Sequence, residues 1–224
     1  TLVTSFTVKI PKVFSRLGHE GQNYFITQWY PKPAVYDVNG WNPMPYLNQG
    51  EFYAEFGSFK VDVTLPSNYT LVATGECMNA GELTTTKNAV DTVPLSALNT
   101  KTVRFEAADV HDFAWFASKQ WGYVTKEIDL GTTKVLARVV ATEPDKKDLD
   151  HIETAIKYYS DNVGTYPYSH ATVVHGELKA GGGMEYPMIC FNFGRPRPDG
   201  TYDDFIKTRM VYVIVHEVGH NFFP

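Results

Sequence analysis

The run Phe59-Lys60-Val61-Asp62-Val63-Thr64-Leu65 alternates between apolar and polar residues without a break, and Leu65-Pro66-Ser67-Asn68 follows it as a turn. Strict alternation places every second side chain on the same face, so the run reads as a strand with one face in a core and the other in water. Working outward, Ser5–Ile10, Tyr24–Trp29, Gly57–Leu65, Thr70–Thr74, Thr102–Ala107 and Lys134–Val140 have the same strand character. No long amphipathic helix pattern interrupts them. Short strands separated by turn signals predict an antiparallel sandwich or saddle over residues 1–142. Pro31 to Gln49, rich in Pro, Asn and aromatic residues, is expected to be an ordered irregular loop.

The pattern changes near Ala141-Thr142-Glu143-Pro144. Leu149, Ile152, Ala155, Ile156 and Tyr159 then follow helical steps, until Gly164 and Pro167 end the helix. Ala171–Val174 and Met188–Phe193 read as strands. The apolar run Met210 to Val215 leads into a last helix of about twenty residues, mostly buried, with Tyr202-Asp203-Asp204 as its start. Residues 143–224 thus read as the start of an α+β domain.

That last helix carries His216-Glu217-Val218-Gly219-His220. Residues four apart share a helix face, so the two imidazoles can grip one metal ion. Glu217 is rotated off that face and can serve as a general base toward water without ligating the metal. Thirty-one residues upstream of His216, Glu185 lies in the segment Gly181-Gly182-Gly183-Met184-Glu185-Tyr186-Pro187, directly after the glycines and Met184. Glycines allow close backbone approach, and an edge strand built this way can pair with an extended peptide. A carboxylate at the end of such a track suits a substrate's free α-ammonium group.

Composition bounds the rest. The 224 residues carry a net charge of -5, and no Lys/Arg cluster stands out, which argues against nucleic acid as a main partner. No apolar run is long enough to span a membrane. Cys77 and Cys190 are read as free and buried. Asn68-Tyr69-Thr70 matches a glycosylation sequon, a match common by chance. The compartment is left open by these features. The chain opens on Thr1, and something is expected to have been removed before it.

The two motifs together resemble the aminopeptidase N family of gluzincin zinc metallopeptidases, in which G-x-M-E-N precedes H-E-x-x-H. Trp29-Tyr30-Pro31, Phe59 to Glu76, Val110-His111-Asp112-Phe113-Ala114-Trp115 and Gly164-Thr165-Tyr166-Pro167-Tyr168 resemble further family elements in the same order. The resemblance implies an N-terminal β domain at 1–142 and the first part of a thermolysin-like catalytic domain at 143–224. It implies zinc held by His216 and His220, Glu217 as general base and Glu185 as the anchor for the substrate amino terminus. Gly182, Gly183 and Met184 would line the peptide track. A substrate-contacting glutamine from the β domain would be Gln22, with Gln28 as the second choice.

The substrates implied are peptides with a free amino terminus. Tyr186-Pro187 departs from the family's Asn and bears on specificity. The third zinc ligand, Glu, and a catalytic tyrosine are expected beyond Pro224, so these residues alone are expected to be inactive. An endopeptidase of thermolysin type and a non-catalytic peptide-binding module stay open as alternatives.

Overall fold

The computed structural model describes residues 1–12, 15–47, 50, 52–83, 93–176, 182–193 and 204–223. The strands in chain order are β1 (Gly18–Glu20), β2 (Asn23–Ile26), β3 (Val35–Asp37), β4 (Gly40–Asn42), β5 (Gly57–Pro66), β6 (Thr70–Ala73) and β7 (Glu76–Cys77). There follow β8 (Thr100–Val110), β9 (Trp115–Ser118), β10 (Gly122–Asp129), β11 (Lys134–Ala141), β12 (His170–Gly176), β13 (Gly183–Tyr186) and β14 (Ile189–Phe193). Among the described residues two α-helices join them, α1 (Lys147–Asn162) and α2 (Asp204–Gly219). The molecule is therefore mostly β.

The elements stack in layers. The outer sheet has the order β5-β8-β7, and its alternation does what the sequence predicts. Val63 and Leu65 point inward with Val103 and Phe105, while Lys60, Asp62 and Thr64 face water. Beneath it lies the sheet β1-β2-β9-β6, in which β6 and β9 are buried almost throughout while β1 and the start of β2 are half-buried. Leu71 and Ala73 meet the outer sheet, and Val72, Phe25 and Phe116 meet the next layer. That layer is a mixed sheet, β10-β11-β12-β14-β13, with β11, β12 and β14 parallel and β13 at one edge. Helices α1 and α2 cover its far face through Leu149, Ile152, Ile156, Ile214 and Val218. Strands buried on both sides read as continuous apolar runs, as Val173-Val174 does here.

Several expectations are corrected. Ser5–Ile10 forms no strand; it lies exposed and pairs with nothing in a sheet, so alternation alone had no partner to act on. The strand expected at Tyr24–Trp29 ends at Ile26, and Gln28 turns the chain with φ of 50°. Pro31–Gln49 holds a hairpin, β3–β4, in which Tyr36 packs edge-on to Trp41. Trp115–Ser118 and Gly122–Asp129 are additional strands. The five-stranded sheet runs across residue 142, with β10 and β11 on one side and β12 to β14 on the other. Helix α2 spans 16 residues and is buried on one face only, with Phe205 and Tyr212 exposed. Both cysteines are free, but Cys77 is half-buried while Cys190 is buried. Among the described residues, no helix is long and apolar enough to cross a membrane. The Asn68 amide is engaged inside the protein, donating to Leu95 O and accepting from the Ala97 N–H.

Candidate metal centre

The site forms where α2 lies across the edge strand β13. Residues alternate along β13, so Met184 and Tyr186 enter the core shared with Phe116 while Gly183 and Glu185 face α2. Gly182 has φ of +101°, a conformation that suits glycine alone. Gly183 is needed for a different reason. A Cβ there would collide with the Glu217 carboxylate and lie 2.6 Å from Val213 Cγ1. The absent side chain is what lets the acid of the motif lie against the strand.

Helix periodicity then separates the roles. Glu217 is 4% exposed and points into the β13 face, whereas His216 is exposed and His220 half-buried. His216 Nε2 and His220 Nε2 lie 3.3 Å apart. Two nitrogens bound about 2.0–2.1 Å from one ion at a tetrahedral angle are themselves about 3.3 Å apart, so the pair fits a shared zinc ion. His220 Nδ1 lies 3.0 Å from Phe223 O, and donating its N–H there leaves the Nε2 lone pair facing His216. Tyr212 stacks on His216 from one turn earlier on the helix. Donor atoms of Glu185, Glu217 and His220 lie within 4.8 Å of one another.

Neighbouring elements hold this arrangement in place. Asn221 Oδ1 accepts the Met188 N–H at 2.8 Å, tying the exit of α2 to the turn after β13, where Met188 has φ of 66°. Tyr159 of α1 lies so close to Gly219 that a Cβ there would be 3.0 Å from the phenol oxygen. Cys190, opposite Glu185 on β14, has its thiol pushed well up by burial and by the nearby Glu217 and Glu185 carboxylates, so it is an inert neighbour.

The β layers contribute as well. Asp112 accepts from Gln28 Nε2 and Tyr30 OH and pairs with Lys32 Nζ at 2.8 Å, fixing the loop after β8. The adjacent His111 lines a small cavity together with Glu185, Pro187, Tyr168, His220 and Asn221. Burial holds the His111 imidazole below its usual value, more than Asp112 raises it.

Of the residues expected from the sequence, His216, Glu217, His220, Glu185, Gly183 and Gly182 come together around β13 and α2. Met184 lies beneath them in the core. Gln22 does not join them: it precedes β2 and accepts from Tyr69 OH. Gln28 follows the opposite end of β2 and reaches Asp112, beside His111. Gly181, Tyr202 and Asp203 lie outside the described residues. His111, Tyr168 and Asn221 also line the site, and no spacing in the sequence marks them as site residues, although His111 and Tyr168 lie in stretches that resemble family elements.

This stack of sheets and helices is similar in fold to a solved zinc metallopeptidase. The crystal structure of a variant M1 zinc metallopeptidase from Deinococcus radiodurans aligns over 93% of this chain with a TM-score of 0.55 at 16% sequence identity. This chain spans 42% of that one, and at such identity the likeness is one of fold. No protein-family model and no curated protein matches the chain.

Proposed function

We propose that the protein is a zinc aminopeptidase, removing N-terminal residues from peptides with a free amino terminus. The reading rests on one observation above others. The donor atoms of Glu185, Glu217 and His220 cluster within 4.8 Å, and His216 Nε2 lies 3.3 Å from His220 Nε2.

His216 and His220 hold the metal. Catalytic zinc commonly has three protein ligands and an open position, and two imidazoles converge here among the described residues. Zinc held by His216 and His220 would supply Lewis acidity and would lower the pKa of a water there toward about 7. The Glu217 carboxylate takes the proton from the attacking water and returns it to the leaving amine. The Glu185 carboxylate binds the substrate α-ammonium and so sets which bond reaches Glu217. The edge of β13, which pairs with no second strand among the described residues, takes the substrate main chain as an added strand, with Gly182 and Gly183 permitting close approach. These residues on their own are expected to bind zinc weakly, and turnover is expected of the full-length protein.

The test compares a free-amine aminoacyl anilide with its N-acetylated form, using the zinc-loaded full-length protein. Cleavage of the free-amine substrate alone is expected. Equal cleavage of both would favour the thermolysin-type endopeptidase, and zinc uptake without turnover would favour the non-catalytic module. Glu217→Gln should lower kcat by about 10³-fold or more with zinc content unchanged.

A further inference from the structure

Two cavities meet behind Glu185. The smaller, of about 10 Å³, is lined by Glu185, Pro187, His111, Tyr168, His220 and Asn221. The larger is a groove of about 870 Å³ between β5, β8 and the turn after β13, with Phe56, Phe59, Met78, Met188 and Phe222 along it. Tyr168 and Asn221 line both. Pro187 faces the small cavity and Met188 the groove, so the chain itself passes from one to the other.

Between the cavities stands a partition. The His111 ring packs edge-on against Phe56 at 5.5 Å between centroids, with His111 on the small-cavity side and Phe56 on the groove side. Tyr168 OH donates to Asp109 O at 3.3 Å, clasping the loop that carries His111. Asn221 is held by its bond to Met188 N–H. Asp112 anchors the other flank of His111 through Gln28, Tyr30 and Lys32.

We propose that His111 and Tyr168 form a wall that blocks N-terminal extension of the substrate and thereby restricts the site to one residue before the cleaved bond. The inference rests on the aminopeptidase reading. A substrate anchored at Glu185 runs back along β13 toward Gly183, where Glu217 lies. Anything preceding its first residue must therefore run the other way, over Pro187 and Met188. The small cavity lies in that direction and has room for one water-sized group, which matches an ammonium group and excludes an acyl group. Past the wall the groove has ample room for further residues. Glu185 thus attracts the free amine, while His111 and Tyr168 exclude what would replace it.

The experiment uses the zinc-loaded full-length protein as wild type, His111→Gly and Tyr168→Ala. Two chromogenic substrates are compared, a free aminoacyl anilide and the same anilide extended by one N-acetylated residue. Wild type should cleave only the first. In either variant the ratio of kcat/KM for the extended over the free substrate should rise at least about tenfold, even where free-amine turnover falls. An unchanged ratio in both variants with zinc retained overturns the wall. Loss of zinc from both also overturns it, because a partition between cavities does not hold the metal pair. Wild type that cleaves the extended substrate as readily as the free one sinks the aminopeptidase reading instead. Wild type that cleaves neither sinks the reading and the wall together.

Discussion

Gly183 shows how much of this site depends on single side chains. Its missing Cβ is the space into which the Glu217 carboxylate fits, with Val213 closing the other side. Val213 is β-branched and stiff in a helix, so the carboxylate is the group that must yield. Gly183→Ala is therefore expected to cost about 1–3 kcal/mol of stability but to lower kcat far more, by about 10²-fold, with zinc content intact. Urea unfolding beside steady-state kinetics checks this; a loss of activity no greater than the loss of folded protein would contradict it. The placement of His216, Glu217 and His220 side by side on α2 was legible in the sequence because it depends on helical spacing alone. The choice between Gln22 and Gln28 was not. It turns on which end of β2 meets Asp112, and that follows from the non-local pairing of β2 with β9. His111 was hidden for the same reason, since its partners at the site lie more than fifty residues away in sequence.

At the scale of elements, β5 was readable because one face is wet and the other dry. Trp115–Ser118 gave no such signal: β9 is central in its sheet and packed from both sides, so Trp115, Phe116 and Ala117 run apolar without alternation. Strand β12 is likewise buried from His170 to His175, and its first residue carries a testable consequence. His170 Nε2 donates to Gly75 O at 2.8 Å, and Nδ1 accepts from Thr172 Oγ1, so the ring is satisfied in its neutral form. Burial, reinforced by Arg138, lowers its pKa from 6.5 to about 4. Between those values the unfolded chain binds a proton that the folded chain refuses. Stability from this group is therefore complete above pH 6.5 and lost as pH falls toward 4, by roughly 3 kcal/mol. His170→Gln should be less stable at pH 8 yet flatter across that window, as read by urea unfolding at a series of pH values. An unchanged slope would assign the pH dependence to other groups.

Across the whole molecule, the sheet β1-β2-β9-β6 and the mixed sheet share one buried cluster rather than abutting as separate bodies, and α1 and α2 pack on the other face of the mixed sheet. Phe25 of β2 is fully buried and sits between Phe116 and Trp121 of the β layers and Phe191 of β14, each with ring centroids 5.8 Å away. Gly176, at the end of β12, makes room for that ring, since a Cβ there would lie 2.6 Å from Phe25 Cζ. A ring caged by three others cannot move aside without shifting the sheets on both sides of it. Gly176→Ala is thus expected to destabilise the molecule by about 1–3 kcal/mol. Because the contact couples the layers, unfolding should also stay a single transition. Tryptophan fluorescence, which reports the β layers through Trp29, Trp115 and Trp121 together with the exposed Trp41 of the β3–β4 hairpin, should coincide with the circular dichroism of α1 and α2 in wild type and variant alike. If the two probes separated, with the helices melting before the β layers, the shared core would not be what joins the metal-site helix to the rest of the fold.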